Sequence, residues 1–103
     1  MPRLVGVSSV SKYCGEVERV TITTDPSQQG VEIKARTSNR TVIARVSPTR
    51  TDDQGAAEFE IICSNDSSCP GSATVTFTAT GHAAHYLSVE CKKEPKATAR
   101  RRN

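Results

Sequence analysis

The chain has 103 residues, enough for one domain. Hydrophobic residues make up 35% of it, with two Tyr, two Phe and no Trp, so any core must be assembled mainly from Val, Ile, Leu and Ala. The net charge of +3 conceals a split: residues 92–103 carry six basic side chains against Glu94 alone, while residues 1–91 carry eight basic and ten acidic ones, which excludes a basic body surface of the kind that grips nucleic acid.

Strand signals run the length of the chain, and helical periodicity is absent from it. Residues 4–8 predict a short first strand. Residues 18–24 place Val20 and Ile22 on one face. Residues 31–37 place Val31, Ile33 and Ala35 on one side and Glu32, Lys34 and Arg36 on the other. Residues 41–46 turn Val42, Ala44 and Val46 one way and Ile43 the other. Residues 57–63 alternate Ala57, Phe59, Ile61 and Cys63 with Glu58 and Glu60. Residues 72–80 alternate Ala73, Val75, Phe77 and Ala79 with threonines. Residues 86–91 bring Leu87, Val89 and Cys91 inward. Between them lie segments rich in turn-forming residues, "DPSQQG", "TSNR", "SPTRTDDQG", "SNDSSCPG" and "TGHAAH". About seven short strands, each with one apolar face, predict an all-β protein of two antiparallel sheets packed face to face. The expected domain is 1–91, and 92–103 reads as a basic disordered tail or linker.

The segment "TDDQGAAEFEI" combines a turn with a strand. Asp52 and Asp53 are placed to bond nearby backbone N–H groups, and Gly55 supplies a positive φ. Followed by "GSATVTFTA", it resembles the bacterial immunoglobulin-like domains of the invasin and intimin type, whose second half runs T-D-x-x-G-x-A-x-F-x-I, a loop, then G-x-A-x-V-x-F/A. The resemblance covers residues 51–79, and "DPSQQGV" is similar to a shortened form of the family's earlier turn. It implies an immunoglobulin-like sandwich in a secreted or surface-displayed bacterial protein, with tandem domains acting as stalk or adhesive units. The four cysteines lie outside the family pattern.

An even number of cysteines in a small, aromatic-poor chain predicts two disulfides and an oxidising compartment, against the rival of four free thiols in the cytosol. Of three possible pairings, Cys63–Cys69 with Cys14–Cys91 is the expected one: the first would tie the base of a hairpin, the second would clamp the two ends. "MPRLVGVSSV" lacks the long apolar run of an export signal, and no stretch approaches the ~18 apolar residues of a membrane span. The cysteines favour a piece of a longer exported chain, located outside the cell, at its surface or in the periplasm.

Signals for chemistry are few. There is no C-x-x-C, and His82 and His85 are not at a recognised ligand spacing, so no metal or other cofactor is expected and both histidines read as exposed loop residues. Loop aspartates could hold calcium only weakly. No base is flagged beside a nucleophile, and no glycine-rich phosphate loop is present. Two N-x-[ST] sequons, at Asn39 and Asn65, would matter only in a eukaryotic secretory host. The expectation is a non-catalytic module that spaces neighbouring domains or offers a protein or glycan partner a surface, with loops 25–30, 47–55 and 64–71 as contact candidates. The alternative is a carbohydrate-binding accessory module, which needs an exposed aromatic at Tyr13 or Tyr86. The basic tail suggests at most sequence-independent electrostatic attraction to phosphates.

Overall fold

In a computed structural model, the structure describes residues 2–46 and 50–93. Among these the chain forms eight strands and no helix: β1 (Arg3–Val5), β2 (Ser9–Tyr13), β3 (Val17–Asp25), β4 (Lys34–Thr37), β5 (Val42–Val46), β6 (Ala56–Cys63), β7 (Gly71–Thr78) and β8 (His85–Lys92). One sheet has the order β1-β3-β6-β5, the other β2-β8-β7-β4. All neighbours are antiparallel except β2 and β8, which run parallel from Ser9↔Ser88 to Tyr13↔Lys92.

The alternation read from the sequence sets which side chains meet between the layers. Ala57, Phe59, Ile61 and Cys63 on β6, and Ala73, Val75 and Phe77 on β7, are buried. So are Val20 and Ile22 on β3 and Leu87, Val89 and Cys91 on β8. Phe59 and Phe77 meet across the gap edge to face, with ring centroids 4.8 Å apart. Together with Ile22, Ile33 and Leu87 they supply the bulk that the missing tryptophans would have given.

The first strand, expected over residues 4–8, is the shorter β1 at Arg3–Val5, and an additional strand that the pattern did not indicate, β2, follows at Ser9–Tyr13. The chain starts in the first sheet as β1, crosses at Gly6 and joins the second sheet as β2. A Cβ at Gly6 would stand 2.7 Å from Ile22 Cδ1 and 3.2 Å from the Thr21 carbonyl, so the crossing lies too close to β3 for a side chain. The strand expected over 31–37 is regular only from Lys34. Before it, Ile33 is buried, and Glu32 makes an isolated bridge to Arg50. The side chain of Val46 and loop residues 47–49 lie outside the described residues, as do residues 94–103, most of the expected tail. β8 itself reaches Lys92.

The disulfide pairing differs from expectation. Cys63 bonds Cys91 and Cys14 bonds Cys69, with Cα–Cα distances of 5.6 and 6.0 Å. The reason is topological. β6 and β7 belong to different sheets, so the residues between them cross from layer to layer and do not close a hairpin. Cys63 ends β6 facing inward and meets Cys91, the last inward residue of β8 in the opposite sheet. Cys69, half-buried in the crossing loop, reaches the turn that joins β2 to β3.

Candidate functional site

The expected contact loops fall at opposite poles. Loop 25–30 and residues 50–55 interlock at the N-terminal pole. Thr51 Oγ1 accepts from Val31 N–H at 2.9 Å and donates to the Gln28 carbonyl at 2.6 Å. Gln28 N–H donates to Thr24 Oγ1 at 2.7 Å, and Ser27 Oγ donates to the Gln54 carbonyl at 2.7 Å. Thr24 and Thr51 are buried, since these backbone groups would otherwise lack partners. Loop 64–71 lies at the other pole. There Thr41 Oγ1 donates to the Ser68 carbonyl at 2.8 Å, and Ser64 Oγ to the Arg40 carbonyl at 2.7 Å.

The turn motif acts as a local brace. Asp52 Oδ1 accepts from the N–H groups of Gln54 (2.8 Å) and Ala56 (3.0 Å). The Ala56 bond, then the Gln54 bond, holds the Asp52 carboxyl below its ordinary range. Asp53 faces solvent. Gly55 sits at φ +77°, and its carbonyl accepts from Thr24 N–H at 2.9 Å. A Cβ there would lie 2.6 Å from Ser27 Oγ and 2.9 Å from Gln28 N, in a conformation that L side chains rarely adopt. Gly55→Ala is therefore expected to cost about 2–3 kcal/mol from backbone strain and local displacement, measured by denaturant unfolding. Unchanged stability would contradict the interlock. At the other pole Asp66 repeats the device: it accepts from the hydroxyl and the N–H of Ser68, which hold its carboxyl low.

Both histidines are half-buried, correcting the expectation of exposed loop residues. His85 opens β8, with its ring 6.1 Å from that of Phe77 and Nε2 donating to the Val7 carbonyl at 2.7 Å. It thus pins the Gly6 crossing against the core. His82 Nδ1 donates to the Thr80 carbonyl at 2.9 Å, leaving Nε2 as a buried acceptor without a partner. It borders an open depression of about 530 Å³ edged by Gln28, Glu32, Lys34, Thr78 and Thr80. These imidazole bonds go to backbone carbonyls, an arrangement that positions the loops around them.

Two outer surfaces stand out. On the first sheet the register places Val17, Ile62 and Ile43 side by side, with Val17 and Ile43 exposed. On the second sheet, Tyr86, Thr76 and Arg36 form one row across β8, β7 and β4. Tyr86 is 61% exposed, whereas Tyr13 is half-buried with Lys92 Nζ 5.5 Å from its ring centroid. Ser72, Thr74 and Thr78 continue the hydroxyl face along β7. Among the described residues no cluster of three His, Cys, Asp or Glu side chains could hold a metal, and no helix is long and apolar enough to cross a membrane.

Two four-stranded sheets joined through a common core and two disulfides define a β-sandwich. No family model and no curated protein matches the chain. Among solved structures it is similar to domains 5–6 of the S-layer protein SbsC, with a TM-score of 0.67 at 15% identity over 88% of this chain and 45% of that one. It is also similar to part of the Bacteroides ovatus GH5 xyloglucanase in complex with a XXXG heptasaccharide, with a TM-score of 0.59 at 18% identity over 88% of this chain and 19% of that one. The chain therefore spans less than half the length of either protein, and at these identities the likeness is one of fold.

Proposed function

We propose that this chain is a non-catalytic, immunoglobulin-like module of a bacterial secreted or cell-surface protein, spacing neighbouring domains and leaving its outer sheet faces open to partners. The observation that carries the reading is the position of its two ends. Pro2 and Arg3 lie beside Ala83 at one pole, and Lys92 lies beside Cys14 at the other. A chain that enters at one pole and leaves at the opposite one threads domains end to end. Two disulfides suit an extracellular setting. The apolar row Val17–Ile62–Ile43 offers a small adhesive patch to a protein partner. Two copies joined head to tail through residues 94–103 are expected to give, by small-angle scattering, a maximum dimension near twice that of one copy. A compact, side-by-side particle would overturn the spacer reading.

The Tyr86–Thr76–Arg36 row favours a second reading, a carbohydrate-binding accessory module. An exposed ring can stack on a sugar face, while a guanidinium and hydroxyls bond its substituents. In that case the chain is retarded on an acidic polysaccharide gel, and Tyr86→Ala abolishes the retardation. Equal mobility of both proteins with and without the polysaccharide would exclude this reading.

A further inference from the structure

The chain enters the sandwich where Ala83 N–H donates to the Pro2 carbonyl at 2.9 Å. β1 and β2 then run from that pole to the other, where Cys14 N–H donates to the Lys92 carbonyl at 2.8 Å. All four cysteines and the end of β8 stand at this second pole, because Cys14–Cys69 and Cys63–Cys91 link the β2–β3 turn, the 64–71 loop and the ends of β6 and β8. A pull between the two chain ends thus has a short covalent route. It follows β1 and β2 to Cys14, crosses to Cys69, runs backwards along the loop to Cys63, crosses to Cys91 and leaves.

We infer that the crossed disulfides make the domain a tension strap: force is carried by residues 1–14, 63–69 and 91–103, while residues 15–62 and 70–90 hang on closed covalent loops that tension cannot lengthen. Those loops contain β3, β4, β5, β7 and nearly all of β6 and β8, and hence almost the whole core. The strap has little slack. β1 and β2 already span the domain as strand, at ~3.3 Å per residue, so between Pro2 and Cys91 only the bend between them and the short loop segment can extend. Reduction of the bridges removes the shortcut and turns a nearly fixed length into an extensible one. The same four cysteines paired as Cys63–Cys69 and Cys14–Cys91 would leave the 63–69 bridge off the route altogether. This inference stands on the covalent path and does not need the spacer reading: side-by-side packing of two copies would leave it intact.

The test is single-molecule stretching of the full chain, held at its first and last residues, with and without reductant. At ~3.6 Å per residue the oxidised chain is expected to reach about 120 Å and the reduced chain about 370 Å. The variant C63A/C91A, which keeps only Cys14–Cys69, should reach about 180 Å, and C14A/C69A about 270 Å. These limits depend on covalent links and not on folding, so a variant that fails to fold still reports its length. An oxidised chain that lengthens as far as the reduced one, or two double variants of equal length, would overturn the inference.

Discussion

Replacing Cys63 and Cys91 together by alanine is expected to destabilise the domain by about 5 kcal/mol and to lower its melting temperature by roughly 20–30 °C. The two residues are separated by 28 positions, for which the chain-entropy model gives about 3.6 kcal/mol. Both are also 1% exposed, so removing their sulfurs opens a void between the sheets that adds about 1 kcal/mol or more. Cys14–Cys69 closes a longer loop, separation 55, worth about 4.2 kcal/mol on the same model, but Cys14 and Cys69 are only half-buried and leave little cavity. The two loops overlap, so the losses do not add. Together they approach the about 5–15 kcal/mol that stabilises a typical domain, and the fully reduced chain is expected to be largely unfolded at 37 °C. Thermal melts followed by circular dichroism check each outcome. A loss under about 1 kcal/mol for C63A/C91A would mean that the sheets are held together without that bridge.

Phe77→Ala is expected to cost about 3–5 kcal/mol, since it removes one half of the Phe59–Phe77 pair at the centre of the core. Phe77 lies on β7 and Phe59 on β6, so the pair joins the two sheets, and the His85 ring stacks against Phe77 with centroids 6.1 Å apart. The void would be bounded by Phe59 and His85, which are fixed by β6 and by the Val7 carbonyl and have little room to collapse into it. Tyr86→Ala, at the most exposed aromatic, is the control and is expected to change stability by less than about 0.5 kcal/mol. Equal melting temperatures for the two variants would contradict the arrangement of the core.

The strands that could be read in the sequence are those whose pattern is local. β6, β7 and β8 alternate strictly, and every side chain that they were expected to turn inward, from Ala57 to Cys91, is buried, apart from the half-buried Ala79 just beyond β7. β2 leaves no local signal because "SVSKY" has a single aliphatic residue, Val10. It is a strand because β8 lies alongside it, a partner more than seventy positions away that no local window contains. The cystine pairing failed for a related reason. Nearness in sequence suggested that Cys63 and Cys69 close a hairpin, whereas their strands lie in different sheets.

The turn residues were legible in part. Asp52 and Gly55 do what their chemistry suggested, but the buried hydroxyls of Thr24, Thr51 and Ser64 resemble ordinary outward strand or loop residues until the loops that they join are seen together. His85 reads as a loop residue in the sequence because it follows "TGHAA". It is instead the first position of β8, in phase with Leu87 and Val89, and so it points toward the core.

The most direct test of two sheets sealed covalently at one pole is peptide mapping of the unreduced protein. Cleavage before Asp66 separates Cys63 from Cys69, and cleavage after Phe77 or Tyr86 separates Cys69 from Cys91. Mass spectrometry should then find one linked peptide pair holding Cys14 with Cys69 and another holding Cys63 with Cys91. Linked pairs holding Cys63 with Cys69, or four unlinked thiol peptides, would contradict the account.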